Sequence, residues 1–347
     1  MSVALEAALG GVRGANPLVG AVVLDAAGRR LAVGYHRGAG TPHAEADAIA
    51  KLPAGVQGLS DATLVVSLEP CNHHGRTGPC SEAILAAGIG RVLYAVDDPH
   101  GPAAGGAEHL RRAGVQVRSG LLAEAATELN RRWLRAVAEQ RPFTTLHFAQ
   151  TLDSRIAAAD GTSQWITSVE SRADSHATRS RLDAILVGTE TVLVDNPRLT
   201  ARNPDGTPSE HQPVRVVLGL RDVPANAAIR GAGGEPDFLQ LRTRDPRLAA
   251  AELHGRGVRH LMVEGGSRVS AAFLRAGLVD ELILYLAPTL LGSGVPALAD
   301  LGIGTLAEAQ HWRWDSSAGG SVVALGNDLK LHLTPAADAA TPTVGGN

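Results

Sequence analysis

Cysteine is nearly absent from this chain: 347 residues contain two, Cys71 and Cys80. That excludes the disulfide framework of a secreted scaffold. Aromatic residues make up 3%, so the cores must be packed from Leu, Val, Ile and Ala. Lysine occurs only at Lys51 and Lys330, and Arg supplies the other basic side chains apart from His. We read this as a compositional bias toward Arg and Ala. No apolar run approaches the roughly 18 residues of a membrane span. The opening "MSVALEAALGGVRG" carries Glu6 and lacks the charged-then-apolar layout of a signal peptide. The net charge is -3, and like charges form no long blocks, which argues against a nucleic-acid tail or a polybasic membrane patch. What remains is an ordinary soluble composition, 44% hydrophobic and 19% charged, expected in the cytoplasm. The length predicts two domains.

Strand and helix signals alternate along both halves, which points to α/β layers. In the first half, "LVGAVVLD" and "RLAVGYH" read as a hairpin, with Gly28 free to take a positive φ. A helix over 43–52, a strand over 63–68, a helix from Cys80 and a strand over 91–96 follow. A helix near 105–113, the short strand "VQVRSG" and one long helix over 121–139 complete it. The helix stops before Pro142 and a new strand starts at Phe143, which sets the boundary. Further strands are predicted at 143–149, 184–188, 214–218, 259–263 and 282–287, with loops at 202–213 and 231–237. The tail 336–347, "AADAATPTVGGN" with its preceding Pro, has no core-forming pattern and is expected to be disordered.

Both cysteines lie in "LEPCNHHGRTGPC", downstream of "GTPHAEADAIA". His and thiolate are the usual zinc ligands, and a catalytic zinc keeps three of them plus an open position. His43, Cys71 and Cys80 supply three. Cys80 follows Pro79 at a helix start, where free N–H groups favour thiolate. Glu45 stands two residues after His43, near the metal without binding it, where a carboxylate can carry a proton. This is the H-x-E…P-C…C pattern of zinc-dependent base deaminases, here with C-x8-C in place of C-x-x-C. A closed structural zinc would need His73 or His74 as fourth ligand.

In the second half, "HLMVEGGSRVSAAFL" reads as a strand, a Gly-Gly turn and a helix from Ser267 whose N–H groups favour a phosphate; a plain tight turn is the alternative. "DNPRLTAR" groups Asp195, Arg198 and Arg202, either as a sugar-phosphate grip or as a solvated loop. Trp165 lies in a Ser/Thr-rich loop and reads equally as a core tryptophan.

"NPLVGAVV", "GTPHAEADAI", "LEPCNHHGRTGPC" and "LNRRWL", with "TLDSRIAAADGTSQWITS", "VGTETVLVDNPRLTAR" and "VEGGSRVSAAF", together resemble the bifunctional deaminase–reductase family of riboflavin biosynthesis. The resemblance implies a cytidine-deaminase-like α/β/α domain over 1–141 and a dihydrofolate-reductase-like α/β domain over 142–335. It implies hydrolytic deamination of a diaminopyrimidinone ribosylamine 5′-phosphate, then NADPH-dependent reduction of the ribosyl to a ribityl chain, in a homodimer or larger assembly without nucleic acid or membrane. Carried over by motif, His43, Cys71 and Cys80 hold zinc and Glu45 shuttles protons, while Asn16, His73, Arg76 and Asp98 touch substrate. In the reductase half, Ala149, Trp165, Thr191, Asp195 and the stretch Gly266, Ser267, Arg268, Val269, Ser270, Ala271 and Ala272 meet the cofactor. Ser163, Arg179, Leu199, Arg202 and Glu264 meet the substrate, with Asp195 nearest the hydride-transfer point. The chain departs from the family at four places. His100 stands for Asn, His147 for Lys and Ser154 for Gly, and Gly219-Leu220 replaces Asp-Ser. The three in the second half motivate an alternative, a deaminase with a catalytically silent second domain. A non-enzymatic, zinc-stabilised sensor is a third reading.

Overall fold

The computed structural model describes residues 1–336 except 39, 57, 74–77, 100, 102–103, 232–237 and 316–319. The chain divides into two compact units, Met1–Gln140 and Arg141–Asn347. The expected disordered tail lies, from residue 337 on, outside the described residues. No helix among those residues is long and apolar enough to cross a membrane.

The first unit is built from α1 (Ser2–Ala8), β1 (Gly20–Leu24), β2 (Arg30–Tyr35), α2 (Ala44–Ala50), β3 (Thr63–Leu68), α3 (Cys80–Ala86), β4 (Arg91–Val96), α4 (Gly106–Arg112), β5 (Gln116–Arg118), α5 (Ala123–Leu129) and α6 (Arg131–Glu139). Its sheet runs β2-β1-β3-β4-β5. β1 pairs antiparallel with β2 and β3, whereas β3/β4 and β4/β5 are parallel. Alternate residues of the strands face α2, α3 and α4 through Ala21, Val23, Leu64, Val66, Val92 and Tyr94, a core with one aromatic ring among aliphatics. Helix α2 lies so close to β2 that a Cβ at Gly34 would fall 2.3 Å from Ala48 N. Only glycine permits that approach, and it sets the depth of the helix that begins at His43.

The single helix expected over 121–139 is two, α5 and α6, broken at Asn130. The Asn130 amide bonds both ways to the Leu18 backbone, accepting from its N–H at 2.9 Å and donating to its C=O at 2.9 Å. That tie to the start of the hairpin outweighs the gain from continuing one helix.

The second unit follows with β6 (Phe143–Thr151), β7 (Arg155–Ala157), α7 (Val169–Arg179), β8 (Ala184–Gly188), α8 (Thr189–Asp195), β9 (Val214–Leu218), β10 (Phe238–Leu241), α9 (Pro246–Gly255), β11 (His260–Val263), α10 (Ser267–Arg275), β12 (Glu281–Ala287), β13 (Val295–Pro296), β14 (Trp312–Trp314), β15 (Val322–Leu325) and β16 (Asp328–Pro335). Its large sheet is ordered β10-β9-β8-β11-β6-β12-β16-β14, with β15 on β16. The run from β10 to β12 is parallel and the last pairings are antiparallel. Both faces are covered: Leu146, Leu186, Val216, Leu261 and Phe273 pack on one side, and Ile185, Val187, Val217 and Met262 on the other. Every residue of β8 and β11 is accordingly buried, as central parallel strands require. The carboxyl ends of these strands carry the loops where open α/β sheets place ligands.

Candidate active sites

In the first unit, His43 is the N-cap of α2, Cys71 follows β3, and Cys80 opens α3 after Pro79. His43 Nδ1 lies 3.4 Å from Cys71 Sγ and 3.2 Å from Cys80 Sγ. The three donor atoms all lie within 4.8 Å of one another. Tetrahedral zinc with usual bond lengths needs an N···S edge of about 3.5 Å. The donor set and its spacing therefore fit zinc. The Cys80 N–H points at Cys71 Sγ, 3.4 Å away, so the helix start favours the thiolate of Cys71 and not, as expected from the sequence, that of Cys80. Without a metal the two thiols share one negative charge: the hydrogen bond from Cys80 brings Cys71 down to about 4, and the same bond holds the Cys80 thiol up.

Glu45 is buried beside this triangle with 3% of its surface exposed. Burial pushes its carboxyl up to about 7, the Cys71 thiolate adds to the rise, and His43 opposes it. His43 itself is raised, chiefly by its hydrogen bond with Cys71.

Asn16 donates from Nδ2 to His36 Nε2 at 2.9 Å. The direction follows from the other ring nitrogen: His36 Nδ1 sits 3.1 Å from the Pro42 carbonyl, which can only accept. The His36 ring packs edge-on against His43, centroids 5.3 Å apart, so Asn16 and the metal triangle are joined through one buried imidazole. Asp98 is held by Glu69, whose carboxylate accepts from the N–H groups of Asp98, Gly105 and Ala107. His73 lies partly buried in the cysteine loop, with no partner for its Nδ1 among the described residues. Arg76, like His74, lies outside the described residues. His36 and Glu69 were not singled out in the sequence; a carboxylate directly before "PC" was the available signal for the second.

In the second unit, a cavity of about 590 Å³ collects residues from β6, α7, α8 and the segments that follow them. Ala149, Ser163, Trp165, Arg179, Thr191, Asp195, Leu199, Arg202 and Glu264 all line it. The stretch from Gly266 to Ala272 does not line it. That stretch forms the start of α10, with Gly266 as N-cap and with Ser270 and Ala271 buried in the unit's interior. A Cβ on Gly266 would still come within 3.7 Å of Thr191 Oγ1, so the helix start adjoins the cavity edge. Trp165 is not a core residue: 69% of its surface is exposed.

Glu264 accepts two bonds from Arg179, Nε to Oε1 at 2.9 Å and Nη2 to Oε2 at 2.5 Å. His147 Nδ1 stands 3.3 Å from the same Oε1. Burial works to raise the Glu264 carboxyl, but Arg179 and His147 outweigh it and hold it below the usual range. Burial pushes His147 down, so its neutral form is favoured. Behind His147, Tyr285 stacks edge-on and donates to Asp174, which also pairs with Lys330. Asp195 is exposed and accepts from Ser163 Oγ at 3.3 Å.

Two departures from the family pattern have physical accounts. Ser154 keeps a left-handed backbone, φ 62°, so the turn that favours glycine is retained without it. At Gly219 a Cβ would lie 2.1 Å from Thr189 Oγ1, which leaves no room for Asp unless Thr189 moves.

A His/Cys/Cys metal triangle with a buried carboxylate, on a cytidine-deaminase-like sheet, and a ligand cavity in a dihydrofolate-reductase-like unit define a two-domain deaminase–reductase. Residues 1–96 match the cytidine and deoxycytidylate deaminase zinc-binding region, and residues 142–318 match the RibD C-terminal domain. The riboflavin biosynthesis protein RibD of Mycobacterium tuberculosis is 44% identical over 320 residues, covering 92% of this chain and 91% of that one. The Acinetobacter baumannii RibD structure superposes with a TM-score of 0.86 at 32% identity, over 96% of this chain and 97% of that one. The Thermotoga maritima diaminohydroxyphosphoribosylaminopyrimidine deaminase/5-amino-6-(5-phosphoribosylamino)uracil reductase gives 0.83 at 31% identity, with 97% of each chain covered. The chain belongs to the RibD family: it is a bifunctional enzyme of riboflavin biosynthesis, with a zinc-binding deaminase domain and an NADPH-dependent reductase domain.

Proposed function

We propose that the domain over 1–141 deaminates 2,5-diamino-6-ribosylamino-4(3H)-pyrimidinone 5′-phosphate and that the domain over 142–335 then reduces the deaminated ribosylamine. The observation that carries the reading is the donor triangle of His43, Cys71 and Cys80 with Glu45 buried beside it. Zinc bound there supplies the Lewis acidity that makes water a nucleophile near neutral pH. Glu45 takes the proton released by the attacking water and delivers it to the departing amine. Buried beside the donor triangle and clear of bulk water, its carboxylate is placed to take that proton and return it. Asn16, His73 and Asp98 orient the pyrimidine and its sugar, and Arg76 contacts the substrate's polar side.

NADPH in the reductase cavity supplies the hydride to the sugar C1′. Ala149, Trp165, Thr191 and the α10 start hold the cofactor, while Ser163, Leu199, Arg202 and the Arg179–Glu264 pair hold the substrate. Asp195, which lines the cavity and accepts from Ser163, is the residue we assign to the hydride-transfer point. The assembly is a homodimer or larger.

The test is to follow ammonia release and NADPH oxidation together on the diaminopyrimidinone ribosylamine phosphate, with and without a zinc chelator. Ammonia should appear first and NADPH loss should follow, and prior zinc removal should stop both. On substrate already deaminated, NADPH loss should survive the chelator. Ammonia without NADPH loss would leave a deaminase with a silent second domain.

A further inference from the structure

Trp165 lines the reductase cavity with most of its indole in solvent, so burial does little to fix its orientation. A side chain placed this way needs another restraint if it is to form a wall. Arg172 provides one. Its guanidinium carbon lies 4.6 Å from the indole ring centre, within cation–π range. Its Nη1 also donates to the Thr167 carbonyl at 2.7 Å, two residues beyond the indole.

Arg172 sits in the first turns of α7, and that helix start is firmly placed. Ser168 caps it by accepting from the Ser171 N–H. Asp328 on β16 accepts from the Ser168 N–H and the Ser171 hydroxyl, each at 2.7 Å. A path of short contacts therefore runs from the sheet, through the helix start and Arg172, to the indole. Among the described residues Arg172 forms no ion pair with a carboxylate, so its charge is not committed elsewhere. A guanidinium is a plane that can lie along an aromatic ring, whereas an ammonium is a compact point charge, and Arg172 lines the cavity beside the indole that it braces.

We propose that Arg172 is a positioning residue of the reductase site: it braces the Trp165 indole at the cavity wall so that the indole receives a planar ring of NADPH. The inference rests on the reading of this cavity as the NADPH site, and no role for Arg172 follows from that reading alone.

The experiment is a double-mutant cycle on the full chain with Arg172→Ala, Trp165→Ala and the double variant. NADPH affinity is read from quenching of tryptophan fluorescence without the pyrimidine, and KM and kcat are read with it. Arg172→Ala should weaken NADPH binding about 3- to 10-fold, raising KM for NADPH more than it lowers kcat. Trp165→Ala should weaken it at least as much. The double variant should be no weaker than Trp165→Ala, because an arginine acting through the indole has nothing left to lose. Arg172→Lys, which keeps the charge and the helix propensity without the plane, should show most of the Arg172→Ala loss. Multiplicative losses in the double variant, unchanged NADPH affinity in both arginine variants, or a shift confined to KM for the pyrimidine would each overturn the proposal. A wild-type chain that fails to bind NADPH would instead overturn the reading of the cavity.

Discussion

Two glutamates, one in each unit, are both withdrawn from water and shift in opposite directions. Glu45 rises to about 7, because burial is reinforced by a neighbouring thiolate. Glu264 falls, because Arg179 grips it with both arms and His147 stands at the same oxygen. Burial alone predicts a rise for both. The residues facing each carboxyl decide the outcome, and the outcome fits the proposed roles. Glu264, held ionised, serves as a fixed negative charge that orients cations. Zinc at the first site adds positive charge there and pulls Glu45 back down, so the contrast is sharpest in the metal-free chain.

The largest expected effect comes from removing the mobile proton. Glu45→Gln preserves shape and hydrogen bonding but cannot cycle a proton, so ammonia release should fall about 10²- to 10⁴-fold, the range of a lost general acid–base group. Zinc content, measured on the same sample, should stay at the wild-type level. An active Glu45→Gln enzyme would end the proton-shuttle role and with it one side of the comparison. Glu264→Gln tests the other side through stability. It leaves the largely buried Arg179 without its counter-charge, a change that typically costs about 3 kcal/mol or more. Thermal unfolding should show the loss in the second unit, together with weakened reductase activity. If unfolding is unchanged, Glu264 is not a fixed partner of Arg179, and its low carboxyl needs another cause.

The two sites also differ in how far the sequence exposed them. The metal triangle spans fewer than forty residues, and each of its members lies at a helix start or strand end that the local pattern marks. Strand, loop and helix predictions at 63–68, at the cysteines and at 91–96 agree with β3, α3 and β4. The reductase cavity draws Ala149, Arg179, Asp195 and Glu264 from elements far apart in sequence, and only the tertiary fold brings them together. From sequence alone Arg179 and Glu264 read as separate substrate contacts, and nothing local marks them as partners. His147 appeared as a departure from the family pattern, but its contacts with Glu264 and Tyr285 depend on β12 and the end of β11 lying beside β6. The break at Asn130 was hidden for the same reason, since its partner Leu18 lies 112 residues earlier. Trp165 had even readings as core or site, and only exposure could separate them.

The smallest expected effect concerns the imidazole that helps hold Glu264 down. Burial lowers His147, Arg179 and Lys330 lower it further, and Glu264 and Asp174 act the other way, with Tyr285 packed against the ring. Its folded value lies below the usual 6.5, so the unfolded chain takes up this proton first as pH falls. The contribution of His147 to stability is therefore present above pH 6.5 and is lost as pH drops below it, at no more than about 1.4 kcal/mol per pH unit. Glu264 remains ionised through the start of that window, and His176, also lowered by burial, loses stability in the same range, so the share that belongs to His147 is the part its replacement removes. His147→Gln removes the titrating group while keeping a hydrogen-bond donor for Glu264. Between pH 6.5 and 5, the second unit of this variant should lose less stability than wild type, with the two curves parallel above pH 7. Equal slopes through the acid range would mean that His147 charges as readily in the folded chain as in the unfolded one. The low Glu264 carboxyl would then rest on the Arg179 pairing together with a charged His147.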